Sequence, residues 1–312
     1  MKSHPSPWID PILAVDVGGT FVRSALVGPC PDRGTPRMGS PVKVALPWLG
    51  DNGKADLGVL TTHLRSRIHE TGATRVGIGF PGFFDRGLLT ASPNLPGLNN
   101  LPLADDLSRA LGLPVAVEND ANCAALGIHR FGTPSHQDDL VVWTLGTGVG
   151  GGLILGGKLW SGMRGMAGEL GHLTVEDDDL ARLCGCGGHG CLETVASVSG
   201  MLRTYTEASG KPCSDGLTLY KAALRGEPHA QLAFERGGAA LGLAMSLVAK
   251  TLDIATMAVG GGGSDGFALM RPALEAAWHT HALPPQRERL DLHVVAEPDR
   301  MGLWGAAVLA GC

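Results

Sequence analysis

The chain has 312 residues, with 25 basic and 30 acidic side chains for a formal charge of −5, and 47 glycines, about 15% of the total. Hydrophobic residues make up 44% and charged residues 18%, and the glycines are clustered rather than periodic, which excludes a disordered or collagen-like chain. The charge balance gives no general reason to bind nucleic acid or an anionic membrane, and no stretch approaches the roughly 18–20 uninterrupted apolar residues of a bilayer span.

Met1 to Asp10 lacks the apolar core of a signal peptide, so the expectation is a soluble, cytoplasmic protein of one or two domains. In chain order, Ile12 to Val17 reads as a strand, Gly18-Gly19-Thr20 as a tight turn and Phe21 to Val27 as a second strand. Pro31 to Pro47 reads only as a loop or hairpin. Arg75 to Phe80 is a buried strand ending at Pro81-Gly82, and the Pro-rich stretch Pro93 to Pro102 is a turn-laden loop. Val115 to Val117 is a strand ending at Glu118-Asn119-Asp120, where Asp120 opens a helical pattern as a plausible N-cap. Leu140 to Leu145, Gly146-Thr147-Gly148 and Val149 to Leu155 then repeat the opening pattern. Beyond residue 195 the pattern is mostly helical, clearest over Gly237 to Leu252. Strand Thr256 to Val259, the run Gly260 to Gly263, strand Leu292 to Ala296 and a helix near Leu303 to Leu309 follow. Two strand–turn–strand units about 130 residues apart predict two similarly built α/β halves facing each other across a ligand cleft.

Three glycine-rich turns at strand ends favour a nucleotide whose phosphates are gripped by backbone N–H groups, with Thr hydroxyls adding donors. None fits a P-loop or a dinucleotide-binding G-x-G-x-x-G unit. Asp16, beside the first turn, would hold Mg²⁺ through water. Seven cysteines are too few for a disulfide scaffold in a chain this long, but Cys184, Cys186 and Cys191 fall within eight residues. With one imidazole they make a closed, structural zinc site; His189 lies cramped inside the loop, so His172 is the preferred fourth ligand. Cys30, Cys123, Cys213 and Cys312 read as plain thiols, and Glu176 to Asp179 as a solvated acidic loop. Asp120 has two readings, a helix cap and a general base acting on a substrate hydroxyl, and capping preference alone favours the cap. The zinc loop orders Glu169 and Glu193 toward the same cleft, and Asn119 with several carboxylates is what recognition of a polyol requires.

Taken together, Asp16-Val17-Gly18-Gly19-Thr20, Glu118-Asn119-Asp120-Ala121-Asn122, Gly146-Thr147-Gly148-Val149-Gly150-Gly151-Gly152, Glu169-Leu170-Gly171-His172 and the Cys184 to Glu193 signature resemble the ROK family of repressors, open reading frames and sugar kinases. The resemblance implies a two-lobed, actin-like, hexokinase-type α/β ATPase fold with ribonuclease H-like halves and a structural zinc loop. It divides the chain into an N-terminal domain over 1–119, with a C-terminal helix near 298–312 packing back onto it, and a larger domain over 120–297 carrying the zinc loop. It also implies ATP with Mg²⁺ as donor, a hexose or N-acetylhexosamine as acceptor, and a homodimer. Carried over by residue, Asp120 matches the base on the sugar's 6-hydroxyl, and Gly82, Asn119, Glu169, His172 and Glu193 match sugar contacts. Gly18, Gly19, Thr20, Thr147 and Gly148 match phosphate contacts, Gly261 and Gly262 the adenosine side, and His172 doubles as a zinc ligand. Glucose is the favoured sugar because Asn94 to Leu98 resembles the corresponding stretch of bacterial glucokinases; N-acetylglucosamine or N-acetylmannosamine is the alternative. A sugar-responsive repressor is disfavoured because 15 residues before Asp16 are too few for a DNA-binding segment. Many members have Leu-Asp-Pro where this chain has Leu252-Asp253-Ile254, expected to alter only the local turn.

Overall fold

Apolar runs bounded by glycine turns become the strands of two five-stranded sheets. In this computed structural model, residues 10–19, 21–29, 36–45, 54–133, 137–178 and 181–311 are described. The chain divides into two units: Met1–Pro134 with Leu159–Ala167 and Arg300–Cys312, and Ser135–Lys158 with Gly168–Asp299.

The first unit contains β1 (Ile12–Val17), β2 (Phe21–Val27), β3 (Val42–Ala45), α1 (Leu57–Thr71), β4 (Arg75–Phe80), β5 (Phe83–Asp85), β6 (Leu88–Ala91), α2 (Leu103–Leu111), β7 (Val115–Asn119) and α3 (Asp120–Gly127). Its main sheet runs in the order β3-β2-β1-β4-β7, with β1 and β2 antiparallel and β4 and β7 joining parallel. Leu13, Val15, Ile78 and Phe80 from the sheet meet Leu60, Leu64, Leu103 and Leu107 from the helices in one core.

The second unit contains β8 (Leu140–Leu145), β9 (Val149–Leu155), α4 (Glu193–Ala196), α5 (Val198–Ser209), α6 (Gly216–Leu224), α7 (Pro228–Leu252), β11 (Thr256–Gly260), α8 (Phe267–His281) and β12 (Asp291–Val294). A two-residue strand, β10 (Lys158–Leu159), edges its sheet, whose order is β10-β9-β8-β11-β12. The antiparallel hairpin followed by two parallel strands matches the first unit, the duplication expected from the paired strand–turn–strand patterns. This is the mixed α/β, hexokinase-type ATPase fold.

Helix α7 begins at Pro228 rather than Gly237, because Glu227 caps it by accepting from the Ala230 N–H and Pro228 occupies the first turn. It is the one helix among the described residues long and apolar enough to cross a membrane, and 67% of that apolar window is buried inside the fold. It ends at Asp253, which adopts the left-handed cap conformation (φ 56°) and accepts from Gln286 at 3.2 Å, so the Leu252-Asp253-Ile254 departure sits in a single capping turn.

The first unit extends past the boundary expected at residue 119. Helix α3 is seated on β4, with Cys123 against Gly79, and the last helix, α9 (Pro298–Gly311), is laid against both. A Cβ on Gly305 would stand 1.5 Å from the Cys123 carbonyl oxygen, so only glycine admits this approach. Gly305→Val is expected to destabilise the fold by roughly 3 kcal/mol; thermal melting checks this, and an unchanged midpoint would contradict the packing. Residues 159–167 join the same unit because Arg164 grips the Asp85 carboxylate through two nitrogens, at 2.6 and 3.1 Å.

Candidate functional site

In the first unit, Asp16, one residue before the end of β1, lies opposite Arg23 of β2, and the guanidinium lies 3.1 Å from the carboxylate. A magnesium ion carried in with a nucleotide would therefore meet an acid already paired with an arginine. The Gly18 N–H donates to the Phe21 carbonyl at 2.8 Å, closing the turn, and Gly19 faces Asn94. Thr20 lies outside the described residues.

At the end of β7 the helix cap is Asn119, one residue before the expected Asp120. Its Oδ1 accepts from the N–H groups of Ala121 (2.9 Å) and Asn122 (3.1 Å), while its Nδ2 donates to the Gly82 carbonyl at 3.1 Å. Asn is as good a cap as Asp and holds extended backbone here, leaving Asp120 as the first helical residue. Gly82, Asn119 and Asp120 are thus brought together. Asp120 Oδ1 also accepts from Ala121 N–H at 2.9 Å. Glu118, part of the motif but given no role of its own there, braces the corner: its Oε1 accepts from Asn119 N–H (2.8 Å) and from Nδ2 of buried Asn122 (3.1 Å). Asn119→Ala is expected to cost about 1–2 kcal/mol by stripping the cap and the Gly82 tie, readable in denaturant unfolding.

In the second unit, the Gly146–Gly148 turn is closed by a Gly146 N–H bond to the Gly148 carbonyl at 2.9 Å. The N–H groups of Thr147 and Gly148 have no acceptor among the described residues, as an anion-binding turn requires. Beside it, the Gly263 N–H donates to the Leu145 carbonyl at 2.8 Å, so the run containing Gly261 and Gly262 folds against the end of β8. Glu193 reaches the same turn, its Oε2 accepting from Val149 N–H at 3.0 Å.

The Cys loop supplies Glu193. Cys184 N–H donates to Gly188 at 2.8 Å, Val175 N–H to Gly190 at 2.8 Å and Leu192 N–H to Leu173 at 2.9 Å, fastening the loop to the chain that follows His172. Arg182, an unflagged residue, is only 5% exposed and donates to Thr194 O (2.7 Å), Thr204 Oγ1 (3.0 Å) and Glu207 (2.6 Å), pinning the loop to α4 and α5. Glu176, expected in a solvated acidic loop, is instead mostly buried and ion-paired to Arg236 of α7 at 2.7 Å, which anchors the segment between His172 and Cys184.

The ligand atoms of His172, Cys184, Cys186 and Cys191 all lie within 4.8 Å of one another, so the preference for His172 over His189 agrees with the geometry. The pairs Cys184 Sγ to His172 Nδ1 and Cys186 Sγ to Cys191 Sγ are each 3.6 Å apart. Ligands about 2.3 Å from a tetrahedral zinc ion stand about 3.8 Å apart, so the cluster fits such an ion. Burial pushes the Cys184 thiol up and the Cys191 thiol up to about 12, while the Gly188 N–H draws the Cys186 thiol down. Loading a cation here must therefore displace protons. With Nδ1 turned to the sulfurs, His172 Nε2 lies 3.8 Å from Glu169. Burial holds the Glu169 carboxyl above the usual carboxylate range, with His172 opposing and Glu193 adding to the shift. Glu169, His172 and Glu193 are thus joined through one loop.

Comparisons with known proteins identify the family. The family model described as "ROK family" matches residues 12–311. The glucokinase of Thermotoga maritima is 35% identical over 269 residues, covering 80% of this chain and 81% of its own. The N-acetylmannosamine kinase of Shigella flexneri is 33% identical over 306 residues, covering 96% and 98%. Among solved structures, a ROK family glucokinase from Streptomyces griseus in complex with glucose and AMPPNP superposes with a TM-score of 0.77 at 32% identity, covering 96% of this chain and 99% of that one. With a family model spanning nearly its whole length and relatives above 30% identity over most of it, this chain belongs to the ROK family.

Proposed function

We propose that the protein is an ATP-dependent hexose kinase that phosphorylates O6, with glucose the preferred sugar. The observation that carries this reading lies within the second unit: the carboxylate cluster of Glu169 and Glu193, suited to a polyol, adjoins a turn whose free N–H groups suit a phosphate. Similarity to glucokinases supports the sugar assignment. The nearly equal identity to an N-acetylmannosamine kinase, over more of the chain, favours an N-acetylhexosamine as the second reading.

In this reading Asn119, Glu169, His172 and Glu193 orient the sugar hydroxyls, together with the backbone at Gly82. Asp120 accepts the proton of the 6-hydroxyl as its oxygen bonds to the γ-phosphorus and the bond to the β-phosphate oxygen breaks. The transition state is loose, so alignment and charge neutralisation contribute more than the proton transfer itself. Thr147 and Gly148 hold phosphate, Gly18 and Gly19 are further phosphate contacts, and Gly261 and Gly262 serve the nucleoside. Bound Mg²⁺, near Asp16, would neutralise phosphate charge, and zinc on His172, Cys184, Cys186 and Cys191 would keep the sugar-binding carboxylates in place. A homodimer working in the cytoplasm completes the proposal; sedimentation of the purified chain tests the assembly.

The decisive assay couples ADP formation to NADH loss across glucose, mannose, fructose, N-acetylglucosamine and N-acetylmannosamine. Glucose is expected to give the highest kcat/KM, and a higher value for an N-acetyl sugar would replace the first reading with the second.

A further inference from the structure

Gly148 lies in the turn whose N–H groups suit a phosphate, and the packing around it gives its missing side chain a second role. Its φ lies outside the left-handed region, so its backbone accepts any residue. A Cβ built on Gly146 would meet nothing nearer than 4.0 Å, whereas one on Gly148 would lie 2.2 Å from Glu193 Oε2 and 3.2 Å from its Cδ. The space kept empty at Gly148 is therefore filled by the Glu193 carboxylate. That carboxylate uses the space to accept the Val149 N–H at 3.0 Å, and its other oxygen lies 4.0 Å from Cys184 Sγ. The Val198 N–H bond to the Gly146 carbonyl (2.9 Å) ties the same turn to the start of α5.

We infer that the missing side chain of Gly148 positions a sugar contact, a role separate from the phosphate role of its backbone N–H: the empty space lets Glu193 lie against the Gly146–Val149 turn, with one oxygen latched to the turn and the other left to face a sugar hydroxyl. This rests on the reading of the protein as a sugar kinase. Two consequences separate it from the phosphate role. Alanine at 148 keeps the N–H that a phosphate would use, so nucleotide binding has no reason to weaken. The same alanine pushes aside only the flexible end of Glu193, so the fold survives while the sugar loses an oriented acceptor.

The test is a double-substitution cycle with Gly148→Ala and Glu193→Ala, using the sugar that the wild-type chain phosphorylates best. Gly148→Ala is expected to raise the sugar KM by at least about 10-fold, the loss of one buried, oriented hydrogen bond, with the ATP KM within about 2-fold of wild type. In the Glu193→Ala background the same substitution is expected to add nothing further to the loss in kcat/KM. Hydrogen–deuterium exchange gives a readout apart from turnover: the Val149 amide, protected in the wild-type chain, exchanges faster in both single variants. A raised ATP KM with an unchanged sugar KM, additive losses across the cycle, or an undisturbed Val149 amide would each overturn the inference while leaving the kinase reading standing. A wild-type chain that phosphorylates no sugar would overturn both.

Discussion

Asp120→Asn is expected to lower kcat for sugar phosphorylation by about 10²–10⁴-fold, the range for loss of a general base. The asparagine keeps an Oδ1 that can accept the Ala121 N–H, as Asp120 does at 2.9 Å, so the start of α3 should stand. What would disappear, on the proposed mechanism, is the anion that takes the proton and polarises the hydroxyl. Sugar affinity, measured by calorimetry without nucleotide, is expected to stay within a few-fold, because Asn119, its cap and its tie to Gly82 are untouched. Turnover near the wild-type rate would remove Asp120 from the base role and leave it a helix-start residue.

The second large effect belongs to the Cys loop. Replacing Cys184 and Cys191 by serine is expected to reduce bound zinc from about one ion per chain to none, and to lower kcat/KM for the sugar by about 100-fold or more. The reason is mechanical. Glu193 follows Cys191 by two residues, and His172 offers one nitrogen to the sulfurs while the other faces Glu169. On the proposed assignment, loss of the ion removes the common tie of the three sulfurs, and with it the tie of His172 and Glu193. Arg182 would still pin the loop base to α4 and α5, so the rest of the second unit is expected to melt near its usual temperature. Metal analysis beside sugar kinetics checks both parts, and full activity in a zinc-free double variant would contradict the ligand assignment.

Much of the fold and the Cys/His cluster could be read from the amino-acid sequence because glycine turns between apolar runs and closely spaced cysteines are short and distinctive. The strand–glycine–strand units become the two central hairpins β1–β2 and β8–β9, and the Cys spacing marks a loop that gathers three thiols and the His172 imidazole. What escaped reading depends on partners far along the chain. Helix α1 buries only Leu60 and Leu64, too thin an apolar stripe to stand out. Glu176 looks solvated beside its acidic neighbours, and only the arrival of Arg236 from α7 makes it an anchor. Arginine is normally a surface residue, so nothing local marks Arg182 as buried. The cap at Asn119 rather than Asp120 turned on one residue of phase, which two adjacent good capping side chains leave undecided.

The seat of α9 bears on how the protein is made. The first unit lacks part of its wall until residues 300–311 arrive to lie on β4 and α3, and the tight approach of Gly305 to Cys123 leaves no substitute for that helix. On a ribosome, the sheet built from the earliest strands must therefore wait through synthesis of the whole second unit with an apolar face uncovered. The second unit draws all its strands and helices from one nearly continuous stretch and can close first. Synthesis order and folding order would then be reversed, and the first-made strands would be the ones most in need of a chaperone.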